Sequence, residues 1–338
     1  MRILLDVMGG DRPPRELVEG GIAAGRRLGL DLVFSGDPTL IRRALADARE
    51  RESDRLAILP ATQIIEMNEP PVQAVRAKRD SSLANGLLAL KRGEVDAFVS
   101  PGNTGAVVAG AILLVGRILG IPRPAIATPL PTLDGGEILL LDAGANVDSS
   151  AKHLLHFARM GATYEHEVRG ASEPAVGLLS NGSEPVKGNR VNRRAFELLD
   201  RSALRFVGNV EAHTLLTEHP ADVVVCDGFV GNVLLKAIEG GILATSSLLK
   251  KGISSGGLRT KAGGLLLMPA FALLRERLAY ERHGGAPLLG VKGVVIIAHG
   301  RSDAEAIGGA VEAAQRAAQV HLTDRLAEGI QGWQIDGN

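Results

Sequence analysis

The chain has 338 residues, with 38 Lys+Arg against 38 Asp+Glu, so its formal net charge at pH 7 is zero. That balance argues against a general nucleic-acid-binding role, and an aromatic content of 3% leaves little for stacking on bases. One cysteine, Cys226, excludes an internal disulfide framework and fits a reducing, cytoplasmic compartment.

The length suits one large bilobal unit over residues 1–338. No secretory leader is read at the N-terminus, and no unbroken apolar run reaches the ~20 residues of a membrane span. The first third alternates strand and helix patterns: strand Arg2–Asp6, helix Arg15–Leu28, strand Leu32–Ser35, helix Pro38–Glu50 behind a capping Asp37, strand Leu56–Leu59. Such alternation predicts a parallel sheet with helical crossovers. Arg76, Lys78 and Arg79 then crowd against Asp80, Ser81 and Ser82. Either these are solvated helix charges with Ser82 as a cap, or they line an anion site.

A helix over Leu83–Arg92 leads to the strand Ala97–Ser100, the loop S-P-G-N-T-G-A and a helix over Val107–Leu119. Ala125–Pro129 and Ile138–Asp142 read as strands joined through Asp134-Gly135-Gly136, a hairpin signal. A helix over Ser149–Gly161 and a strand over Ala175–Leu179 follow. Lys187 is then held between Pro185 and Gly188 at a strand end, where an ammonium can meet a phosphate; the alternative is a surface lysine. Helix Arg190–Asp200 and strand Arg205–Val207 precede the run V-V-V-C-D-G-F-V-G-N-V, Val223–Val233.

That run predicts a short buried strand, a tight loop and a helix start near Val230, the junction where backbone N–H groups and the helix dipole favour an anion. The alternative is an ordinary turn capped by Asp227. Comparable polar, glycine-bearing loops follow other strands, at Asp6–Asp11, Ser100–Ala106 and Asp142–Asp148. Ends of this kind are expected on one sheet edge, where open α/β sheets bind ligands. Two long helices, Leu234–Lys250 and Met268–Arg282, bracket a segment with Gly/Ser, cations and the apolar cluster Leu265, Leu266, Leu267, Met268 and Phe271. It suits either an anionic membrane surface or a helical hairpin buried in a dimer. A strand over Val294–Ala298 and one helix from Asp303 to about Leu326 close the chain.

The sequence contains no Walker-A loop, no G-x-S-x-G elbow, no H-E-x-x-H and no Cys/His zinc spacing, and no G-x-G-x-x-G follows the first strand. The pair His153 and His156 is weak metal evidence, and no metal is expected. What remains is a Gly/Asn/Asp/Lys/Ser set able to bind a phosphate and a carbonyl oxygen.

The motifs D-V-M-G-G-D, K-R-D-S-S, G-N-T-G-A, L-L-D-A-G-A-N-V-D, K-G-N, G-N-V-E, D-G-F-V-G-N-V and G-G-A-P-L-L-G, in this order from Met1 to about His299, resemble the phosphate acyltransferase (PlsX) family of bacterial phospholipid synthesis. The chain departs from the family pattern at Pro101, Ser180 and Arg301. The resemblance implies a three-layer α/β/α fold with a mostly parallel sheet, similar to phosphotransacetylases and to isocitrate and isopropylmalate dehydrogenases. It implies transfer of a long-chain acyl group from acyl carrier protein to inorganic phosphate, which is a substrate, so that no cofactor is needed. It also implies a homodimer held peripherally at the cytoplasmic membrane, with residues 234–282 forming an embedded helical hairpin. The alternatives are a short-chain phosphate acetyltransferase using coenzyme A and a non-catalytic membrane-associated scaffold.

On that resemblance Lys187, Asn232, Asp227 and Asn103 are expected to be catalytic. Asp6, Gly9, Gly10, Asp11, Lys78, Asp80, Ser81, Ser82, Gly102, Thr104, Gly105, Asn146, Asp148, Gly188, Asn189, Gly228 and Gly231 are expected to bind substrate. Leu265, Leu266, Leu267, Met268 and Phe271 would meet the membrane, and Arg259 and Lys261 the acidic carrier or lipid.

Overall fold

Runs such as Ile3–Leu5, Leu139–Leu141 and Val223–Val225 are apolar at every position, the pattern of strands covered on both faces. A computed structural model, describing residues 1–269 and 284–331, folds them into one sheet of eleven strands. In chain order these are β1 (Arg2–Asp6), β2 (Asp31–Gly36), β3 (Leu56–Pro60), β4 (Ala97–Ser100), β5 (Ala125–Pro131), β6 (Glu137–Leu141), β7 (Ala175–Ser180), β8 (Arg205–Glu211), β9 (Val223–Val225), β10 (Ala286–Leu289) and β11 (Val294–Ile297). Their spatial order is β3-β2-β1-β4-β11-β10-β5-β6-β9-β7-β8.

Alternate residues of each strand enter different cores. Ile3, Leu5, Leu139, Leu141, Val223 and Val225 face one helical layer. It contains α1 (Pro14–Leu28), α2 (Pro38–Asp47), α6 (Ala151–Arg169), α7 (Arg190–Asp200), α10 (Ala304–Gln319) and α11 (Leu322–Gln331). Leu4, Phe98, Leu140 and Val224 face the other, which holds α3 (Pro71–Ala77), α4 (Ser82–Lys91), α5 (Thr104–Gly110) and the start of α8 (Gly228–Ser255). Each fully buried Leu or Val contributes about 1.5–3 kcal/mol over an exposed one. The fold is therefore the three-layer α/β/α arrangement that the family resemblance implied.

The sheet has two halves. From β3 to β11 neighbours are parallel, and from β6 to β8 they are parallel again. Between them β10 runs antiparallel to both β11 and β5, and β5 antiparallel to β6. Ala286 and Pro287 pair with β11, whereas Leu288 and Leu289 pair with β5. The β6 half therefore runs opposite to the β1 half. The expectation that all four glycine-bearing loops share one sheet edge is corrected by this reversal.

Several boundaries also differ from the sequence reading. The helix expected from Val107 begins at Thr104, because Asn103 caps it, and after a π-helical turn at Ala111–Val115 it stops at Gly116 with φ 101°. α6 does not stop at Gly161 but continues to Arg169; there the missing side chain lets the helix lie against Val223 of β9. The closing helix is two helices, broken at His321, whose φ is 51°. α8 starts at Gly228 rather than Val230 and runs for 28 residues, of which only Gly228 and Gly231 are buried. It is long and apolar enough to cross a membrane by length and composition, although Lys236 and Glu239 interrupt the run. α9 (Leu258–Leu266) folds back on it, with Gly264 against Ile253. Phe271 and the expected helix beyond residue 269 lie outside the described residues.

Candidate functional site

The loops gather in two groups. The first follows β1, β4 and β11. Asp6 ends β1 fully buried; its carboxylate accepts from Ser100 Oγ at 2.8 Å and from the Met8 amide at 3.1 Å, and Ser100 Oγ in turn accepts from the Gly102 amide at 3.1 Å. Burial raises the Asp6 pKa above its ordinary value, against those hydrogen bonds. Asp6 thus shapes the loops rather than lining an open cleft. Gly9 lies where a side chain would strike the Gly102 backbone, so the two loops close on one another. Asp11 donates its amide to the Gly300 carbonyl at 2.8 Å, and Gly10 packs on Pro101.

The remaining residues expected in this group have local partners. Asn103 accepts from the Ala106 amide at 3.1 Å as the α5 cap, and its Nδ2 donates to the carbonyls of Glu66, Met67 and Glu69 at 3.0–3.3 Å. Lys78 donates to the Ile64 carbonyl at 2.6 Å and pairs with Glu69. Asp80 accepts from Thr62 and from Asn85, which hold its pKa below the ordinary value. Ser81 caps α4, Ser82 is buried, and Gly105 abuts Pro71. Thr104 is exposed. Asn103 thus fastens residues 66–69 to the start of α5, while Lys78 and Asp80 close the segment 62–82 on itself and on α4.

The second group follows β6, β9 and β7, which are neighbours in the sheet. Its centre is Asp142, which the sequence reading passed over in favour of Asn146 and Asp148. Asp142 is fully buried; Oδ1 accepts from the amides of Ile126, Gly144 and Ala145 at 2.9–3.1 Å. Oδ2 accepts from the amide and the side chain of Asn146 at 2.7 and 2.8 Å. Burial again raises its pKa. The signal available in sequence was the repeat itself: like Asp6, Asp142 is an aspartate closing an apolar strand before a glycine-bearing loop. Asp148, two residues beyond Asn146, is exposed.

The Asp227–Asn232 turn packs directly on this loop. The Gly228 amide donates to the Asn146 carbonyl at 2.8 Å, and Asp227 caps α8 by accepting from the Val230 amide at 2.9 Å. At Gly231 any side chain would collide with the Asp142 carbonyl. Asn232 sits over Gly144, on the exposed face of α8. Cys226 is buried and its thiol pKa is pushed well up by burial, which fits a packing role. In the adjacent β7 loop Lys187 is exposed, and the Gly188 amide donates to Asn181 Oδ1 at 2.9 Å. Asn189 caps α7 by accepting from the Val191 and Asn192 amides. Beneath the loop, Ser180 Oγ and Asn209 Oδ1 are buried with no hydrogen-bond partner among the described residues.

Lys187, Asp227 and Asn232 are therefore brought to one edge, and Asn103 belongs to the other group. The groups meet through one apolar cluster, in which Ala106 and Val107 of α5 and Ala143 are buried and Ala145 and Leu235 pack alongside. Among the described residues no group of three His, Cys, Asp or Glu is placed to hold a metal ion.

The α/β/α fold is shared with phosphotransacetylases. The structure matches one from Streptococcus pyogenes with a TM-score of 0.58 at 18% identity, covering 95% of this chain and 94% of that one. It matches a 4-hydroxythreonine-4-phosphate dehydrogenase from Klebsiella pneumoniae with a TM-score of 0.54 at 14% identity, covering 94% and 99%. The family described as "Fatty acid synthesis protein" matches residues 1–325. Proteins named phosphate acyltransferase from Desulfitobacterium hafniense and Heliobacterium modesticaldum are each 44% identical to the chain. The first match covers 96% of both chains and the second 98% of both. The chain belongs to this phosphate acyltransferase family and is an acyltransferase.

Proposed function

We propose that the protein transfers a long-chain acyl group from acyl carrier protein to inorganic phosphate, forming acyl phosphate for phospholipid synthesis, with no cofactor. The observation that carries the reading is the placement of the Lys187 loop beside the Asp227–Asn232 turn, on neighbouring strands β7 and β9. Lys187 holds phosphate as a point charge, and the amides at the start of α8 favour the developing negative charge. Asn232 donates to the carbonyl oxygen of the thioester. A phosphate oxygen attacks the carbonyl carbon, forming a C–O bond as the C–S bond breaks. The thiol leaves with the proton given up by hydrogenphosphate. Positioning of this kind contributes roughly 7–11 kcal/mol when the geometry is good.

The protein acts as a homodimer at the membrane surface. Exposed Phe229, Val230 and Val233 on α8 support the first part, and exposed Leu265–Met268 beside Arg259 and Lys261 support the second. The test is phosphate-dependent release of free carrier from palmitoyl-carrier protein. Lys187→Ala and Asn232→Ala are each expected to lower the rate at least 100-fold in folded protein; near-normal rates in both would overturn the assignment, and preference for acetyl-coenzyme A would overturn the substrate class.

A further inference from the structure

Charge is evenly balanced over the whole chain but not along it. Lys187, Arg190, Arg193 and Arg194 fall within eight consecutive residues where the β7 loop enters α7, and no carboxylate lies between Glu184 and Glu197. Arg190 and Arg194 are four residues apart, and Arg201 follows seven later, so the three share one face of the helix, on which Glu197 is the one carboxylate, between Arg194 and Arg201. All three are exposed. Arg194 pairs with Glu197, an exposed contact of small energetic weight, and Arg193 donates to the Gly188 carbonyl at 3.2 Å. The ridge therefore begins at the residue assigned to phosphate and leads away from it over the surface.

We propose that this ridge, Arg190, Arg194 and Arg201, docks the acidic surface of the protein that presents the acyl thioester. The proposal rests on the reaction given above. Delivery sets the geometry, because a thioester on a flexible arm must reach the space between Lys187 and Asn232. Arg190 is three residues from Lys187, and Arg194 is about one helical turn, ~5.4 Å, further on. The cations expected from the sequence to meet the carrier, Arg259 and Lys261, are at the start of α9, which folds back on the far end of α8. Twenty-eight residues at 1.5 Å each put the start of α9 roughly 42 Å from the Asp227 turn. A carrier docked at the α8–α9 tip would leave its thioester far from the site, whereas one on the α7 ridge would not. The two basic regions thus divide the work, the tip meeting lipid and the ridge meeting protein.

The experiment compares wild type with Arg190→Glu/Arg194→Glu and with Arg259→Glu/Lys261→Glu. Each is assayed with acyl-carrier protein and with the corresponding acyl-pantetheine, and binding of fluorescently labelled carrier is read separately. For the ridge variant KM for acyl-carrier protein is expected to rise at least 10-fold at low salt. Its kcat and its rate with acyl-pantetheine should stay within two-fold of wild type. Salt should weaken carrier binding to wild type and hardly affect the variant. The tip variant should resemble wild type. An unchanged KM in the ridge variant, an equal loss with both donors, or a rise confined to the tip variant would each overturn the proposal. A wild type that binds carrier at the ridge but transfers no acyl group to phosphate would refute the reaction and not the docking; one that neither binds nor transfers would refute both.

Discussion

Asp142 and Lys187 are opposite kinds of residue in the same loop group, and their variants should separate structure from chemistry. Asp142 is fully buried and answers five donors, so its role is to hold the 143–146 loop under Asn232. In Asp142→Asn one acceptor oxygen becomes an NH2 facing amide protons. The expected cost is about 2–4 kcal/mol, with a fall of several degrees in melting temperature and a loss of activity alongside it. Gly231→Ala should behave similarly, because the added methyl meets the Asp142 carbonyl. Lys187 is exposed, so Lys187→Ala should remove activity with a melting temperature within about 1 °C of wild type. Thermal unfolding beside turnover checks all three, and a Lys187→Ala melt as low as that of Asp142→Asn would show the lysine to be structural. The sequence made Lys187, Asp227 and Asn232 legible because each stands in a short glycine motif. Asp142 went unread although it repeats the Asp6 pattern, because its burial against β5, with the Ile126 amide as a donor, depends on partners outside its own motif.

At the scale of elements, helix α6 carries a titrating group away from the site. Glu165 is 4% exposed, and burial raises its pKa to about 7. Arg169 opposes that rise, with Nη1 3.2 Å away, while Asp222 and Glu137 add to it. A carboxyl whose folded pKa lies above its unfolded value favours the fold most below the unfolded pKa, and that stability is lost as pH rises through the folded pKa. The window here runs from about 4.5 to about 7, and the loss is ~3 kcal/mol before relaxation. Glu165→Gln should therefore flatten the fall in melting temperature between pH 5 and 8 and raise the melt at pH 8. A variant that stays parallel to wild type across that range would show that Glu165 does not titrate there. The element boundaries show how sequence reading fails locally. Gly161 reads as a helix stop, yet in α6 it is a point of close contact with Val223. Asn103 reads as a ligand, yet it caps α5, and Asp227, read as either a ligand or a cap, does cap α8. One residue type serves both roles, and only the position of its neighbours decides between them.

Over the whole molecule, the sequence showed a mostly parallel sheet and, in Asp134-Gly135-Gly136, one hairpin. It did not show that the halves run in opposite senses, because that depends on β10, a four-residue A-P-L-L strand that pairs with both β11 and β5. A proline among glycines signals a loop, and the pairing of Leu288 with Ile126 spans more than half of the chain's described length. The consequence for function is spatial separation. The Lys187 and Asn232 edge lies at one end of α8, and the apolar tip of α9 lies at the other. Leu265, Leu266, Leu267 and Met268 are 53–82% exposed there, next to Arg259 and Lys261. An apolar tip beside cations suits an anionic bilayer, and burying one leucine contributes about 1.5–3 kcal/mol, a factor of roughly 10 to 100 in binding. Leu266→Glu should therefore cut co-sedimentation with phosphatidylglycerol-rich vesicles at least 10-fold. Because Gly264 packs on Ile253, roughly 38 Å along α8 from the turn, turnover of acyl-carrier protein in vesicle-free solution should stay within two-fold. Unchanged co-sedimentation would remove the tip from the membrane contact. A matching loss of turnover without vesicles would instead mean that α9 is coupled to the site along the length of α8.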